Sequence, residues 1–251
     1  MTIRLEIEDH VARVIIDRPE RMNALDSAAH KRLAEIWREI SANDDIRCTV
    51  LTGVGDRAFC AGADLKENTG RTGLEYWSSF EAIGFGGSKP IIARVNGLAL
   101  GGGLELVLGC DIVIAAETAR FGLPEAKVGR VPLDGGMTLL PRLIPRNIAV
   151  GMMMTGRMSP ASEMARFGLV NSVVSPDELD AETDRWVADV LACAPLSLQA
   201  IKATVRNTAH LSVSDAYGCK SPELVAALES EDADEGVKAF QEKRRPDWKG
   251  C

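Results

Sequence analysis

Apolar and polar residues alternate over residues 3–8 and 11–16, on either side of the polar turn EDH, and this period of two predicts an opening pair of strands. The period then lengthens. In LDSAAHKRLAEIWREISAND, Leu33, Ile36, Trp37 and Ile40 recur every three or four residues behind Asp26, which predicts a helix capped by that aspartate. CTVLTG reads as a buried strand, VGDRAFCAGADLKE as a loop and KPIIARVNG as another strand. The glycine run at 101–103 opens a helix reaching about Leu108. DIVIAAE is a strand, ARFGLPEAKVG a short strand passing into a loop, and a helix rises after Gly135. In SPASEMARFG the pattern places Ser159 as N-cap, Pro160 at the first helical position and Gly168 at the close, and LVNSVV follows as a last strand. From Asp177 onward the chain reads as helical. The recurring order of strand, loop, helix and strand predicts an α/β fold with mostly parallel strands, and the change of character near residue 195 separates residues 1–194 from a helical region at 195–251.

Composition narrows the functional classes. The chain has 251 residues, enough to bury a substantial core, with 46% hydrophobic and 26% charged residues. Its formal net charge of −7 supplies no basic field for nucleic acid or an anionic membrane. The most apolar region, 91–116, is interrupted by Arg94, Asn96, Glu105 and Asp111, so it does not read as a membrane span. Six cysteines without CxxC or zinc spacing suit reduced thiols and a cytoplasmic setting. The three histidines lie outside every motif and no GxSxG is present, which disfavours a serine-hydrolase triad and a histidine-built metal site.

LALGGGLELVLGCD is where the pattern turns chemical. Glycine inside a helix costs about 1 kcal/mol relative to alanine, so three in succession need a compensating role. One role is close packing of backbones. The other is a helix N-terminus whose free N–H groups face a ligand oxygen. The glycine spacing fits neither the dinucleotide nor the Walker fingerprint. AFCAGADL offers a second small-residue segment after a strand, where Gly62 and Ala63 can bring an N–H to a ligand or form a tight turn. Two such groups meeting at one carbonyl oxygen stabilise developing charge, and each is worth ~3 kcal/mol in a transition state. Glu105 sits one turn into the glycine helix among apolar neighbours, and Glu125 follows a proline in GLPEAK.

The segments ERMNALD, AFCAGADLKE, KPIIARVNGLALGGGLELVLGCDIVIA, FGLPEAKVGRVP, TGRMSPASEMARFGLVNSVV and FQEKRRPDWKG, in this order, resemble the crotonase, or enoyl-CoA hydratase and isomerase, superfamily over nearly the whole chain. SEDADEGVKAFQEKRRPDWKG, LPEAKVG and PRLIPRNIAVGMMMTGR look most like its carnitinyl-CoA dehydratase branch. The resemblance implies a spiral of ββα units followed by C-terminal helices that join subunits into a homotrimer or a dimer of trimers. It assigns the oxyanion-hole N–H groups to Ala63 and Gly102 and the two hydratase glutamates to Glu105 and Glu125. It implies a substrate that is an acyl-CoA thioester, with no other cofactor and no metal. The CoA moiety would lie against Asn23, Ala24 and Leu25 of MNAL and against Ala61, Asp64 and Leu65, with Phe240 and Lys243 covering the nucleotide from a neighbouring subunit. The segment 67–87 would wall the acyl pocket, where Tyr76, Trp77, Phe80 and Phe85 either suit a bulky or polar chain or serve as packing. The sequence departs from the branch at VPLDGG, where Leu133 precedes Asp134. That offset makes Asp134 either a third acid in the pocket or, the favoured reading, a turn residue.

These expectations describe reversible syn hydration of a 2-enoyl-CoA, with Glu105 as base because it lies near a helix N-terminus and Glu125 as acid. The alternatives within the superfamily are a Δ-isomerase and a carnitinyl-CoA dehydratase-like enzyme. The alternative of another class is a non-catalytic binding protein on the same body.

Overall fold

The computed structural model describes residues 2–67, 84 and 87–251. The chain starts with β1 (Ile3–Glu8) and β2 (Val11–Ile16), an antiparallel pair, and then α1 (Ser27–Ala42), whose first turn is capped by Asp26 accepting from the Ala29 N–H at 2.8 Å. From there strands come in pairs: β3 (Cys48–Gly53) with β4 (Ala58–Cys60), β5 (Ile91–Val95) with β6 (Leu98–Leu100), and β7 (Ile112–Ala116) with β8 (Arg120–Gly122). α2 (Gly102–Leu108) links the second pair to the third. Beyond β8 come α3 (Leu140–Leu143), α4 (Arg146–Thr155), β9 (Met158–Pro160), α5 (Ala161–Arg166) and β10 (Ser172–Val174). The described chain closes with α6 (Leu179–Leu191), α7 (Pro195–Thr208), α8 (Val213–Tyr217), α9 (Pro222–Leu228) and α10 (Glu231–Glu242).

Each pair sends its first strand to one sheet and its second to another. The larger sheet runs β1-β2-β3-β5-β7-β10, parallel throughout after β2, and the smaller runs β4-β6-β8-β9, antiparallel only at β8 and β9. A strand in each sheet followed by a helix, repeated, is the expected ββα spiral. The larger sheet is covered on both faces, which is why β3, β5 and β7 are buried at nearly every position. Alternate residues divide between two cores. Leu51, Ile91, Ala93, Val113 and Ala115 pack inward with α1 and α2, whereas Val50, Ile92, Ile114 and Ala116 meet Leu179, Val187 and Val190 of α6.

Several boundaries differ from the sequence reading. AFC is strand β4 and not loop, and LAL is a strand before the helix opens. Three-residue strands are too short to show a period of their own. Ser159 does not cap α5: its backbone pairs with Phe121 in the smaller sheet, and Pro160 takes the N-cap position with no side-chain hydrogen bond. Gly168 does close that helix, at φ +87°. The single helix expected after Gly135 is turns followed by α3 and α4, because Pro141 and Pro145 interrupt it. The long terminal helical pattern from Ser221 is split at Ser230, whose hydroxyl caps α10 by accepting from Ala233, and the short α8 was not expected. The helical region is tied back to the sheet: Lys202 of α7 donates to Asp111 at 2.7 Å and to the Lys89 carbonyl at 2.8 Å.

Candidate active site

The site forms where the smaller sheet hands over to α2. Gly101, at φ +55°, turns the chain out of β6 while its N–H stays on the Gly122 carbonyl at 2.9 Å. Gly103 explains the third glycine: a Cβ there would stand 2.0 Å from the Cys60 carbonyl, so only glycine lets α2 seat against β4. Gly102, between them, has open space. A Cβ on it would meet Gly62 Cα at 3.8 Å and the Ala63 nitrogen at 4.0 Å, neither a tight contact. The packing reading of the glycine run thus holds at Gly103, and Gly102 is left facing the AGAD segment.

Ala63 reaches this point through a parallel bridge with Leu25. The Leu25 N–H donates to the Gly62 carbonyl at 2.8 Å and the Asp64 N–H to the Leu25 carbonyl at 2.8 Å. In such a bridge the central residue's own N–H is not used in the pairing, and the Ala63 nitrogen lies 4.0 Å from where a Gly102 Cβ would stand. The two segments are in close contact, since a Cβ on Gly62 would lie 3.2 Å from the Gly102 nitrogen. Gly102 opens α2, so its N–H has no partner within the helix. The geometry therefore brings together the two amides that the sequence singled out.

Both glutamates lie beside them. Glu105, only 3% exposed, accepts from the Gly136 N–H at 2.9 Å. Burial pushes its carboxyl up to about 8, and the charges of Asp134 and Glu125 add to the rise while the Gly136 and Asp134 backbone groups oppose it. Glu125 begins a single 3₁₀ turn after Pro124 and points back at Gly101, whose Cβ, were there one, would be 2.9 Å from Glu125 Oε1. Its Oε2 is buried without a hydrogen-bond partner among the described residues. Its carboxyl also lies above the ordinary range, from burial first and from the Asp134 charge. The macrodipole argument that made Glu105 the readier to ionise is thus outweighed by desolvation, and the assignment of base to Glu105 loses that support. Asp134 lies in a turn, and its charge also reaches both glutamates, so the turn does not by itself decide between the two readings of this residue.

The remaining expected residues behave unequally. Asn23 is 1% exposed, and its amide is committed to the chain: Nδ2 donates to the Val54 and Ala58 carbonyls at 3.0 and 2.7 Å, and Oδ1 accepts from the Arg18 N–H. Its side chain frames the site and has no face left for a ligand. Ala24 and Leu25 are buried, the Ala61 N–H donates to Met22, and Leu65 is exposed next to them. Phe240 is 85% exposed on α10 and Lys243 forms its left-handed cap. No hydrogen bond or ion pair joins either side chain to the glutamates among the described residues. Tyr76, Trp77, Phe80 and Phe85 lie outside the described residues. Among the described residues, no group of three or more His, Cys, Asp or Glu is arranged to hold a metal ion. Sequence reasoning missed Arg18, Gly136 and the role of Asp64, all of which act through loop contacts that carry no periodicity.

Comparison with known proteins gives the family. Residues 6–251 match the family described as enoyl-CoA hydratase/isomerase. The chain is 39% identical over 258 residues to (E)-benzylidenesuccinyl-CoA hydratase of Thauera aromatica, covering all of both chains. It is 40% identical to carnitinyl-CoA dehydratase of Proteus mirabilis, covering 99% of this chain and 98% of the relative. Among solved structures, the enoyl-CoA hydratase of Bacillus anthracis superposes with a TM-score of 0.93 at 32% identity over the whole of both chains. With the spiral of ββα units, these matches establish that the chain belongs to the enoyl-CoA hydratase/isomerase, or crotonase, family.

Proposed function

We propose that the protein is an enoyl-CoA hydratase, catalysing the reversible addition of water to a 2-enoyl-CoA thioester. The observation that carries this reading is the buried carboxylate of Glu105 together with the half-buried Glu125, whose Oε2 is enclosed, beside the two small-residue segments. A double-bond shift needs one acid–base group. Water addition needs two, one ionised to take a proton from water and one protonated to deliver a proton to carbon. Burial raises both carboxyls, and the charge of Glu125 adds to the rise at Glu105, which supports dividing the roles of acid and base between them.

In the proposed reaction the thioester oxygen lies between the Ala63 and Gly102 N–H groups. Water held by the glutamates adds its oxygen to C3 and C2 receives a proton, so one H and one OH are gained across the double bond. The electron pair displaced from the double bond is carried by the thioester oxygen until C2 is protonated. The amides act because they favour that enolate-like charge over the neutral ground state. Dehydration runs the same steps backwards. The hydratase and dehydratase named among the relatives correspond to these two directions. Assembly through the C-terminal helices, with Phe240 and Lys243 serving a neighbouring subunit, belongs to the same proposal.

Incubation of the purified protein with crotonyl-CoA tests it. Loss of the conjugated thioester absorbance, with 3-hydroxybutyryl-CoA as product, is the expected result. An unchanged spectrum, together with conversion of a 3-enoyl-CoA to its 2-enoyl isomer, would assign the site to isomerisation instead.

A further inference from the structure

The two irregular segments are joined by the Ala61 N–H on the Met22 carbonyl and by Glu67 accepting from the Ser27 N–H, but the Ala63 amide itself is oriented by the two backbone hydrogen bonds of its bridge to Leu25. One side chain reinforces it from both sides. The Arg18 guanidinium, mostly buried, donates through Nη1 to the Ala24 carbonyl at 2.8 Å and lies 3.2 Å from Asp26 Oδ2. Through Nη2 it donates to Asp64 Oδ2 at 3.1 Å. Ala24 and Asp26 flank Leu25, and Asp64 follows Ala63, so the fork grips the immediate neighbours of both bridge partners.

The anchor is itself fixed. The Arg18 N–H donates to Asn23 Oδ1 at 3.0 Å, and its carbonyl accepts from the Asn23 N–H at 2.9 Å. Asn23 in turn is pinned to the Ala58 carbonyl on β4. Asp26 uses its other oxygen to cap α1, which connects the clamp to a rigid element. Asp64 is held below the usual carboxylate range by the Lys66 backbone N–H and by Arg18, so it stays charged opposite the guanidinium.

We propose that Arg18 is a positioning residue for this reaction, clamping MNALD to AGAD so that the Ala63 N–H meets the same oxygen as the Gly102 N–H. The inference rests on the reading of those two amides as the oxyanion pair. Lysine cannot substitute, because a single ammonium lacks the planar fork that spans three acceptors on two segments.

The test compares Arg18→Lys, Arg18→Met and Asp64→Asn in the full chain. One readout is turnover of crotonyl-CoA. The other is the absorption of bound cinnamoyl-CoA in a Glu125→Gln background, where the probe is not consumed. Its band moves to longer wavelength when the carbonyl is polarised. The expected result is a kcat lowered about 10- to 100-fold, as small misplacements of a catalytic group cause, with KM within about threefold, an unchanged melting profile for Arg18→Lys, and most of the red shift lost. Retention of the red shift and of kcat in Arg18→Lys and Asp64→Asn would overturn the clamp while leaving the oxyanion pair intact. A rise in KM with kcat unchanged would also overturn it, reassigning Arg18 to substrate binding. Absence of any red shift in the parent with Arg18 intact would remove the oxyanion reading itself, and the clamp with it. Should Arg18→Met fail to fold, the other two variants decide.

Discussion

At the residue scale, the cost of holding Glu105 in the site gives a stability signature. Its carboxyl is raised from 4.5 to about 8 by burial, so the folded state binds this proton more tightly than the unfolded chain does. The associated stability is fully present below about pH 4.5 and is lost as pH rises toward 8. Glu105→Gln keeps an acceptor for the Gly136 N–H and carries no charge. Its melting temperature should match that of the parent near pH 4.5 and exceed it by several degrees at pH 8–9, a gain of roughly 2–4 kcal/mol, while crotonyl-CoA hydration is lost. A parent and variant with parallel melting curves across this range would show that Glu105 is not desolvated in solution. Asp134 supplies a second lever acting in the same direction. Its charge raises both glutamates, so Asp134→Asn should move both limbs of the kcat/KM profile toward lower pH, and an unmoved profile would leave Asp134 as a turn residue only. In the sequence Glu105 stands out as an acid in an apolar run and the glycines at 101–103 as residues a helix disfavours, whereas Ala63, Gly102 and Glu125 are assigned their roles through the family resemblance. Arg18 and Gly136 do not stand out, since an arginine before a proline and a glycine in a turn are ordinary, and only the folded loops reveal what they hold.

Among the elements, α2 separates the structural glycine from the one that faces the pocket. Gly103→Ala would drive a Cβ to within 2.0 Å of the Cys60 carbonyl, a backbone atom of β4 that cannot swing aside. The expected cost is about 3 kcal/mol or more, read as a melting temperature lower by roughly 6–12 °C or as loss of soluble protein. Gly102→Ala meets nothing nearer than 3.8 Å. It should fold normally and lose at least about tenfold in kcat/KM, because its methyl group occupies the approach to the two amides. Equal destabilisation by the two changes would contradict this division. The hydrophobic pattern could not tell these glycines apart, since it registers neither the backbone of β4 nor the side of α2 on which that strand lies. For the same reason the pattern found β1, β2, β3, β5 and β7, whose alternation or long burial leaves a trace, found β8 and β10 as short apolar stretches, and missed β9 as well as β4 and β6. Those missed are three residues each and owe their extended form to pairing with β6 and β8.

On the scale of the whole molecule, the C-terminal helices display apolar side chains that a lone chain leaves uncovered. Ile201 and Val205 stand four apart on α7, Val213 and Tyr217 four apart on α8, and Leu228, Val237 and Phe240 follow on α9 and α10, all between 60% and 94% exposed. Isolated exposed apolar residues are ordinary, but pairs at helical spacing on consecutive helices mark a surface built for contact. These helices also surround the route by which the terminal segment returns to the body: Trp248 Nε1 donates to the Ala192 carbonyl at 2.9 Å, and Arg47 donates to the Trp248 carbonyl at 2.9 Å. The segment bearing Phe240 and Lys243 is therefore anchored to its own chain at one end and turned outward along α10, a disposition suited to reaching a neighbour's site. Light scattering should return three or six times the monomer mass, and Val205→Asp and Tyr217→Asp should each shift the protein toward monomers. If Phe240 completes the CoA pocket of an adjacent subunit, dissociation will raise KM for crotonyl-CoA far more than it lowers kcat, because the glutamates and both amides come from one chain. A monomeric parent, or dissociated variants with unaltered KM, would confine the whole site to a single chain and remove Phe240 and Lys243 from substrate binding.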